Sequence, residues 1–188
     1  MAATPPCSPE EEEEETLLPQ KKAGSRPEKA PTPLSPLPEI VEPVIPTDPR
    51  VWVPQAANVW FRPLMLNRTS GGWLNLLKVT RAGVLSRHVH PAPVHGLVLE
   101  GSWRYLEHDW VATKGTYIFE PPGEIHTLVV DADVAEMITF FNISGAMIYL
   151  DKDDRTIGYE DVYTKIEMCR AHYHRCGLGA GYVDQFIR

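Results

Sequence analysis

The chain has 188 residues, of which 43% are hydrophobic, and its 18 basic and 25 acidic side chains give a net charge of −7. An acidic balance offers no basic surface for a phosphate backbone, so we expect no nucleic-acid partner. No apolar run reaches the ~18 residues that a membrane span needs, and three cysteines make no disulfide framework. These features predict a cytoplasmic protein with reduced thiols and no membrane segment.

The first 50 residues differ in composition from the rest of the chain. They hold 12 of the 18 prolines, the acidic run Glu10 to Glu15 and no aromatic residue. Such a stretch cannot bury enough apolar surface to offset the entropy of ordering it. We predict a disordered, acidic and proline-rich tail over residues 1–50, which could also serve as a binding arm, and one folded domain over residues 51–188.

The folded part contains short apolar segments separated by glycine, proline and aspartate. Strands at this spacing predict an all-β fold, an antiparallel sandwich or barrel rather than a parallel sheet with crossover helices. The candidate strands are VWVPQ, WLNLLKVT, GLVLE, WRYLE, GTYIFE, HTLVVD, AEMITFFNI and AMIYLD.

The C-terminal segment has helical periodicity instead. We predict one amphipathic helix over about residues 160–177, with Asp161 as its N-cap and Gly177 at its end. This helix covers either a face of the barrel or a partner subunit, and we expect a homo-oligomer, either a dimer or a tetramer. The apolar stripe of the helix consists of Val162, Ile166, Cys169, Tyr173 and Cys176.

Three histidines carry the clearest functional signal. His88 and His90 lie one residue apart, and alternation along a strand would place both imidazoles on the same face. His126 follows in the run EPPGEIH and would arrive from a distant strand. Two adjacent imidazoles and a third from elsewhere predict a metal site.

Two segments surround these histidines with a recognisable pattern. The first runs from Gly83 through HVHPAPVH to Gly101, and the second is GTYIFEPPGEIHTLVV. Together they resemble the two motifs of the cupin superfamily, over roughly residues 55–150. The resemblance implies a small jelly-roll barrel that holds a metal ion inside.

The first segment departs from the usual cupin motif. Cupins commonly carry a glutamate ligand a few residues after the second histidine, and here Val94 occupies that position. We therefore expect three neutral histidine ligands and no carboxylate. His95 lies one residue further on and is a possible fourth ligand or catalytic group, but a shift of one residue turns a strand side chain to the other face.

A longer stretch, GSWRYLEHDW followed by KGTYIFEPPGEIHTLVV, resembles the 2,4'-dihydroxyacetophenone dioxygenase group of cupins. That resemblance implies a non-haem Fe(2+) held by His88, His90 and His126. It also implies a small aromatic hydroxyketone as substrate and O2 as co-substrate. The carbon–carbon bond next to the carbonyl would be cleaved, as in aromatic catabolism.

The strand after Gly101 supplies candidates around such a metal. Trp103, Tyr105 and Glu107 would share one strand face. If that face points inward, Glu107 is a candidate base, and Trp103 and Tyr105 could flank a phenyl ketone. Glu107 could equally be a structural partner of Arg87 or Arg104.

Other readings of the site remain open. Cupins that cleave β-diketones also use three histidines, so the ketone is not fixed. A non-catalytic, zinc-binding sensor or regulatory module would need no O2, nor would a metal-dependent isomerase or hydrolase. The ligand set alone does not select the metal, because three histidines also accept zinc, nickel or copper.

Overall fold

The computed structural model describes residues 36–188, and this part of the chain folds into an all-β barrel with one α-helix. The all-β prediction is therefore confirmed. The strands are β1 (Val53–Ala56), β2 (Val59–Leu66), β3 (Trp73–Val79), β4 (Gly83–Val89), β5 (Val94–Glu100), β6 (Ser102–Tyr105), β7 (Ala112–Thr113), β8 (Tyr117–Glu120), β9 (Ile125–Val130), β10 (Met137–Ile143), β11 (Met147–Leu150) and β12 (Thr156–Glu160).

The strands form two sheets of six that face each other. The first sheet has the order β1-β2-β3-β10-β5-β8, and the second has the order β12-β11-β4-β9-β6-β7. Neighbouring strands within both sheets are antiparallel. Large buried side chains such as Phe61, Trp73 and Trp103 fill the space between the sheets. This is the jelly-roll arrangement in which inward and outward side chains alternate along each strand.

The helix α1 (Val162–Arg175) closes one side of the barrel and falls within the predicted range. Asp161 accepts a hydrogen bond from the Thr164 N–H, and the Thr164 hydroxyl accepts one from the Asp161 N–H, so both members form a capping box. The helix packs against β1, β2 and β12. Its apolar stripe therefore covers its own barrel, and the predicted homo-oligomer stays a prediction.

Part of the predicted tail lies within the described residues, while residues 1–35 lie outside them. Residues 36–48 contain no helix or strand. The buried Arg62 guanidinium nevertheless donates hydrogen bonds to the carbonyl oxygens of Pro43 and Val44. Arg188 donates another to the Pro38 carbonyl oxygen at 2.7 Å. The part of the predicted tail that the structure describes thus contacts the folded domain through Pro38, Pro43 and Val44.

Short 3-10 helices flank the domain at Pro49–Val51 and Ala180–Phe186. The second one packs against α1 and β2. No helix within residues 36–188 combines the length and the apolar character that crossing a membrane would require.

Candidate metal centre

The second sheet brings two of the predicted ligands together. His88 in β4 and His126 in β9 are directly opposite each other in the antiparallel register. Because opposite residues project from the same face, both imidazoles point into the barrel. Their Nε2 atoms lie 3.2 Å apart, and both residues are buried.

His90 completes the group from the residue after β4, and two main-chain contacts fix the orientation of the rings. The Nδ1 atom of His90 lies 3.3 Å from the Ala146 carbonyl oxygen, and that of His88 lies 3.1 Å from the Ser86 carbonyl oxygen. A proton on each Nδ1 satisfies these carbonyls and leaves the Nε2 lone pairs free. His88, His90 and His126 each offer a nitrogen within 4.8 Å of the others.

The donor set fits a divalent transition-metal ion. Two nitrogens that each lie about 2.1 Å from one ion are separated by roughly 3.0–3.4 Å. The 3.2 Å between the Nε2 atoms of His88 and His126 falls in that range. Burial lowers the pKa of His90 to about 3 and that of His126 to about 2, and it also lowers the pKa of His88. The rings are therefore neutral at physiological pH, as metal ligands must be.

A carboxylate that was not among the predicted site residues also reaches the cluster, from the strand β8. Glu120 ends β8, is buried, and places its Oε2 atom 3.6 Å from His126 Nε2 and 3.8 Å from His90 Nε2. The Tyr105 hydroxyl donates a 2.6 Å hydrogen bond to the Oε1 atom of Glu120. Its Oε2 atom has no hydrogen-bond partner among the described residues. The predicted set of three histidine ligands is therefore retained, and Glu120 adds a carboxylate beside it.

Desolvation dominates the electrostatics of this carboxylate. Burial raises the pKa of Glu120 to about 7, against the opposing effect of the Tyr105 hydrogen bond. Burial also raises the pKa of Tyr105, so its hydroxyl keeps its proton. The Tyr105 ring stacks on the His126 imidazole, with ring centroids 3.9 Å apart and planes 7° apart. Tyr105 thus holds both a histidine and the carboxylate in position.

The histidine cluster opens into a cavity between the two sheets. The cavity has a volume of about 520 Å³, within the usual range for small-molecule sites. His88, His90, Glu120 and Tyr105 line it. Further apolar and aromatic side chains make up the wall, among them Trp73, Leu77, Leu128, Phe141, Ile143 and Met147.

The structure corrects the position assigned to Glu107. The strand β6 ends at Tyr105 and the chain turns, so strand alternation no longer applies two residues later. Glu107 accepts hydrogen bonds from Arg87 Nη1 (3.0 Å) and from the Thr127 N–H (2.8 Å). The alternative partnership with Arg87 is the one observed, and Glu107 does not line the cavity.

His95 and Trp103 also lie away from the cavity, whereas the inward position of Tyr105 is as expected. In β5, Val94 and Gly96 are buried, and His95 between them faces outward, where its Nδ1 atom lies 2.8 Å from the Tyr117 hydroxyl. The one-residue shift has therefore turned His95 away from the metal ligands. Trp103 points inward but packs behind Tyr105 in the core rather than along the cavity wall.

A two-sheet jelly roll with two inward histidines on its second sheet and a third directly after β4 defines a metal-binding cupin. Residues 41–147 match the family model described as the ChrR cupin-like domain, which is more than half of the chain. The chain belongs to this family of cupin-like domains.

Solved structures support the fold. An RmlC-like cupin protein from Ralstonia eutropha is 29% identical, with 68% of this chain and 82% of that chain covered and a TM-score of 0.59. A second Ralstonia eutropha protein, of unknown function and cupin-like fold, is 22% identical over 64% and 75% of the chains, with a TM-score of 0.62. An acetylacetone dioxygenase from Acinetobacter johnsonii is 13% identical over 78% and 97%, with a TM-score of 0.58. No curated protein matches the sequence.

Proposed function

We propose that the protein is an Fe(2+)-dependent dioxygenase that cleaves the carbon–carbon bond next to the carbonyl of a small hydroxyketone of the 2,4'-dihydroxyacetophenone type. The observation that carries this proposal is the joining of the histidine cluster to a largely apolar cavity between the two sheets. A purely structural metal site needs no such space. The likeness of fold to an acetylacetone dioxygenase agrees with ketone chemistry.

The roles of the chain's residues follow from the geometry. His88, His90 and His126 would hold the ion and leave coordination positions on the cavity side. Fe(2+) bound there would polarise the ketone and lower the pKa of the adjacent hydroxyl.

The Oε2 atom of Glu120, which has no hydrogen-bond partner within residues 36–188, would accept the proton that the substrate's hydroxyl group loses. Tyr105 would keep the carboxylate in place through its 2.6 Å hydrogen bond. The apolar part of the cavity wall would hold the hydrocarbon part of the ketone.

Oxygen uptake by metal-reconstituted protein tests the proposal. The protein is stripped with a chelator, reloaded anaerobically with Fe(2+) or Zn(2+), and mixed with a panel of aryl hydroxyketones and β-diketones. We expect O2 consumption with Fe(2+) and a hydroxyketone only. Equal turnover with Zn(2+), or turnover without O2, would contradict a dioxygenase and favour an isomerase or hydrolase. O2 uptake with β-diketones alone would make β-diketones, rather than hydroxyketones, the substrate class.

One observation favours a second candidate, a non-catalytic zinc-binding module. Glu120 faces two of the three histidines and could close a four-ligand site of the structural type. The Glu120→Gln variant separates the two candidates. A loss of bound zinc together with no O2 uptake by the wild type would support the module, whereas retained metal with lost turnover would support the enzyme.

A further inference from the structure

A second polar cluster lines the same cavity. The Lys165 ammonium lies 2.5 Å from Glu160 Oε2 and donates a hydrogen bond to Gln55 Oε1 at 3.0 Å. Gln55 Nε2 donates in turn to Glu160 Oε2 and to the Tyr149 hydroxyl, both at 3.2 Å. All four side chains are among those that line the cavity with His88. We call Gln55, Tyr149, Glu160 and Lys165 the lysine cluster.

The lysine stands where an apolar residue would be expected. It lies on the buried face of α1 with Val162 and Ile166, and its side chain is only 3% exposed. Burial lowers the pKa of Lys165, and the charge of Glu160 opposes that effect. An ion pair taken out of water costs free energy that an apolar pair of similar volume would not. Packing of the helix against the barrel therefore does not explain why Lys165 and Glu160 form a buried ion pair.

The lysine cluster lies beside the metal ligands. Tyr149 in β11 is directly opposite His88 in β4, so the two side chains share the inner face of the second sheet. Glu160 belongs to the neighbouring strand β12 and lines the same cavity as His88. A ligand that occupies the cavity can therefore touch both groups.

The chemistry of the lysine cluster favours a hydroxyl group as its ligand. The ammonium of Lys165 and the carboxylate of Glu160 compensate each other, so the cluster has no net charge to offer an anion. A carboxylate ligand would meet Glu160 at close range, and a second ammonium would meet Lys165. A hydroxyl both donates and accepts, and so do the Gln55 amide and the Tyr149 phenol.

We propose that the lysine cluster is a second binding subsite, separate from the metal ligands, which takes a hydroxyl group at the far end of a ligand whose oxygens bind at the histidine cluster. The proposal rests on the proposed function only in assuming that the ligand chelates the metal. The lysine cluster would select ligands by their far end, while the histidines and Glu120 act on the near end.

Calorimetric titration of zinc-loaded protein with two chelating probes tests this without any turnover. Benzohydroxamic acid offers two metal-binding oxygens and a plain phenyl ring, and 4-hydroxybenzohydroxamic acid adds a hydroxyl at the far end. We expect the wild type to bind the hydroxylated probe about tenfold more tightly, as a hydrogen bond to a charged group allows. Equal affinity for the two probes in the wild type would overturn the proposal.

Substitutions in the lysine cluster test whether this cluster causes the preference for the hydroxylated probe. Lys165→Met and Gln55→Leu should bind both probes equally, with the affinity for benzohydroxamic acid within about threefold of wild type. Lys78→Met is the control for the same chemical change, because Lys78 is half-buried over an aromatic ring, 4.0 Å from the centroid of Trp52, but does not line the cavity. It should keep the tenfold preference. Retained preference in folded Gln55→Leu and Lys165→Met would overturn the proposal, and should Lys165→Met not fold, Gln55→Leu decides.

A third probe and the oxygen assay separate the possible failures. We expect 4-carboxybenzohydroxamic acid to bind more weakly than the hydroxylated probe because its carboxylate faces Glu160. Tighter binding of this probe would overturn the assignment of a hydroxyl. If the hydroxyl preference holds while no ketone causes O2 uptake, the proposed dioxygenase function fails and the subsite stands.

Discussion

Burial acts in opposite senses on the two kinds of titratable group at the histidine cluster. It lowers the pKa of His126 to about 2 and raises that of Glu120 to about 7. Both shifts arise because a low-dielectric interior penalises the charged form. The imidazoles are therefore ready to bind a cation, while the carboxylate depends on a cation or on the Tyr105 hydroxyl for stabilisation.

The two glutamates near the cluster should behave very differently when neutralised. We predict that Glu120→Gln lowers kcat for ketone cleavage by about 10²–10⁴-fold, because a positioned base contributes that much. Metal content, measured by mass spectrometry, should remain close to wild type.

Glu107→Gln is the matched control, since it makes the same chemical change in a carboxylate that pairs with Arg87 outside the cavity. We expect its kcat to stay within about threefold of wild type. A large loss in Glu107→Gln with little effect in Glu120→Gln would reverse the assignment.

Sequence reasoning could predict the three histidines but not their carboxylate, for a specific reason. The rule that found His88 and His90 also applies to β8, where Ile118 and Glu120 are buried and Tyr117 and Phe119 are exposed. Hydrophobicity alone would place Tyr117 and Phe119 inside and the glutamate outside. The sequence indicated that side chains alternate along β8, but it did not indicate which of the two faces is buried.

Among the elements, the strands β4 and β9 determine whether a metal site exists at all. Their register places His88 opposite His126, and a slip of one residue would turn one imidazole away from the other. The His-x-His spacing could predict that His88 and His90 share one face, because His90 directly follows the end of β4. The register between two strands far apart in sequence could not be derived from the chain alone.

Besides the two-residue strand β7, the strands β2 and β12 were not predicted, because each contains a residue that disfavours strands. Pro63 interrupts the apolar run of β2, and in the structure it lies at a register shift against β3. Gly158 lies within β12, next to β11 at one end of the second sheet. The helix was easier to predict, since its cap and its stripe are local, although Lys165 on its buried face went unnoticed.

The turn between β5 and β6 depends on a glycine, which gives a prediction at this scale. Gly101 has φ +69°, and a Cβ atom there would lie 2.2 Å from the Glu136 carbonyl oxygen. Gly115 has a similar φ of +86° but open space around it. We predict that Gly115→Ala costs about 1 kcal/mol of unfolding free energy from backbone strain alone, and that Gly101→Ala costs clearly more.

Urea denaturation of the two glycine variants measures the difference. The comparison isolates the steric clash, since both substitutions carry the same left-handed backbone penalty. Equal midpoints for the two variants would show that the backbone around Glu136 can shift at no cost in unfolding free energy. That result would contradict the predicted steric clash.

For the whole molecule, a metal bound at the histidine cluster would couple function to stability. Through His88 and His126, the ion would join β4 to β9. Binding to the folded state alone stabilises it by about 2.7 kcal/mol when the free metal is at 100 times its Kd. For a protein of this size that corresponds to roughly 5–10 °C in Tm.

We therefore predict that chelation lowers the Tm of the wild type by roughly 5–10 °C, as measured by differential scanning calorimetry. His126→Ala should start at the lower Tm and not respond to the chelator. His95→Ala is the matched control, because its imidazole lies on the outer face beside Tyr117. A wild type whose Tm ignores chelation would contradict metal binding at the cluster.

The central claim, that the histidine cluster and its cavity form an oxygenase site, is tested most directly by isotope labelling. Fe(2+)-loaded protein is incubated with 2,4'-dihydroxyacetophenone under 18O2, and the products are analysed by mass spectrometry. We predict 4-hydroxybenzoate and formate, each carrying one 18O atom. Cleavage products labelled only from H2 18O, or cleavage that proceeds without O2, would contradict the claim.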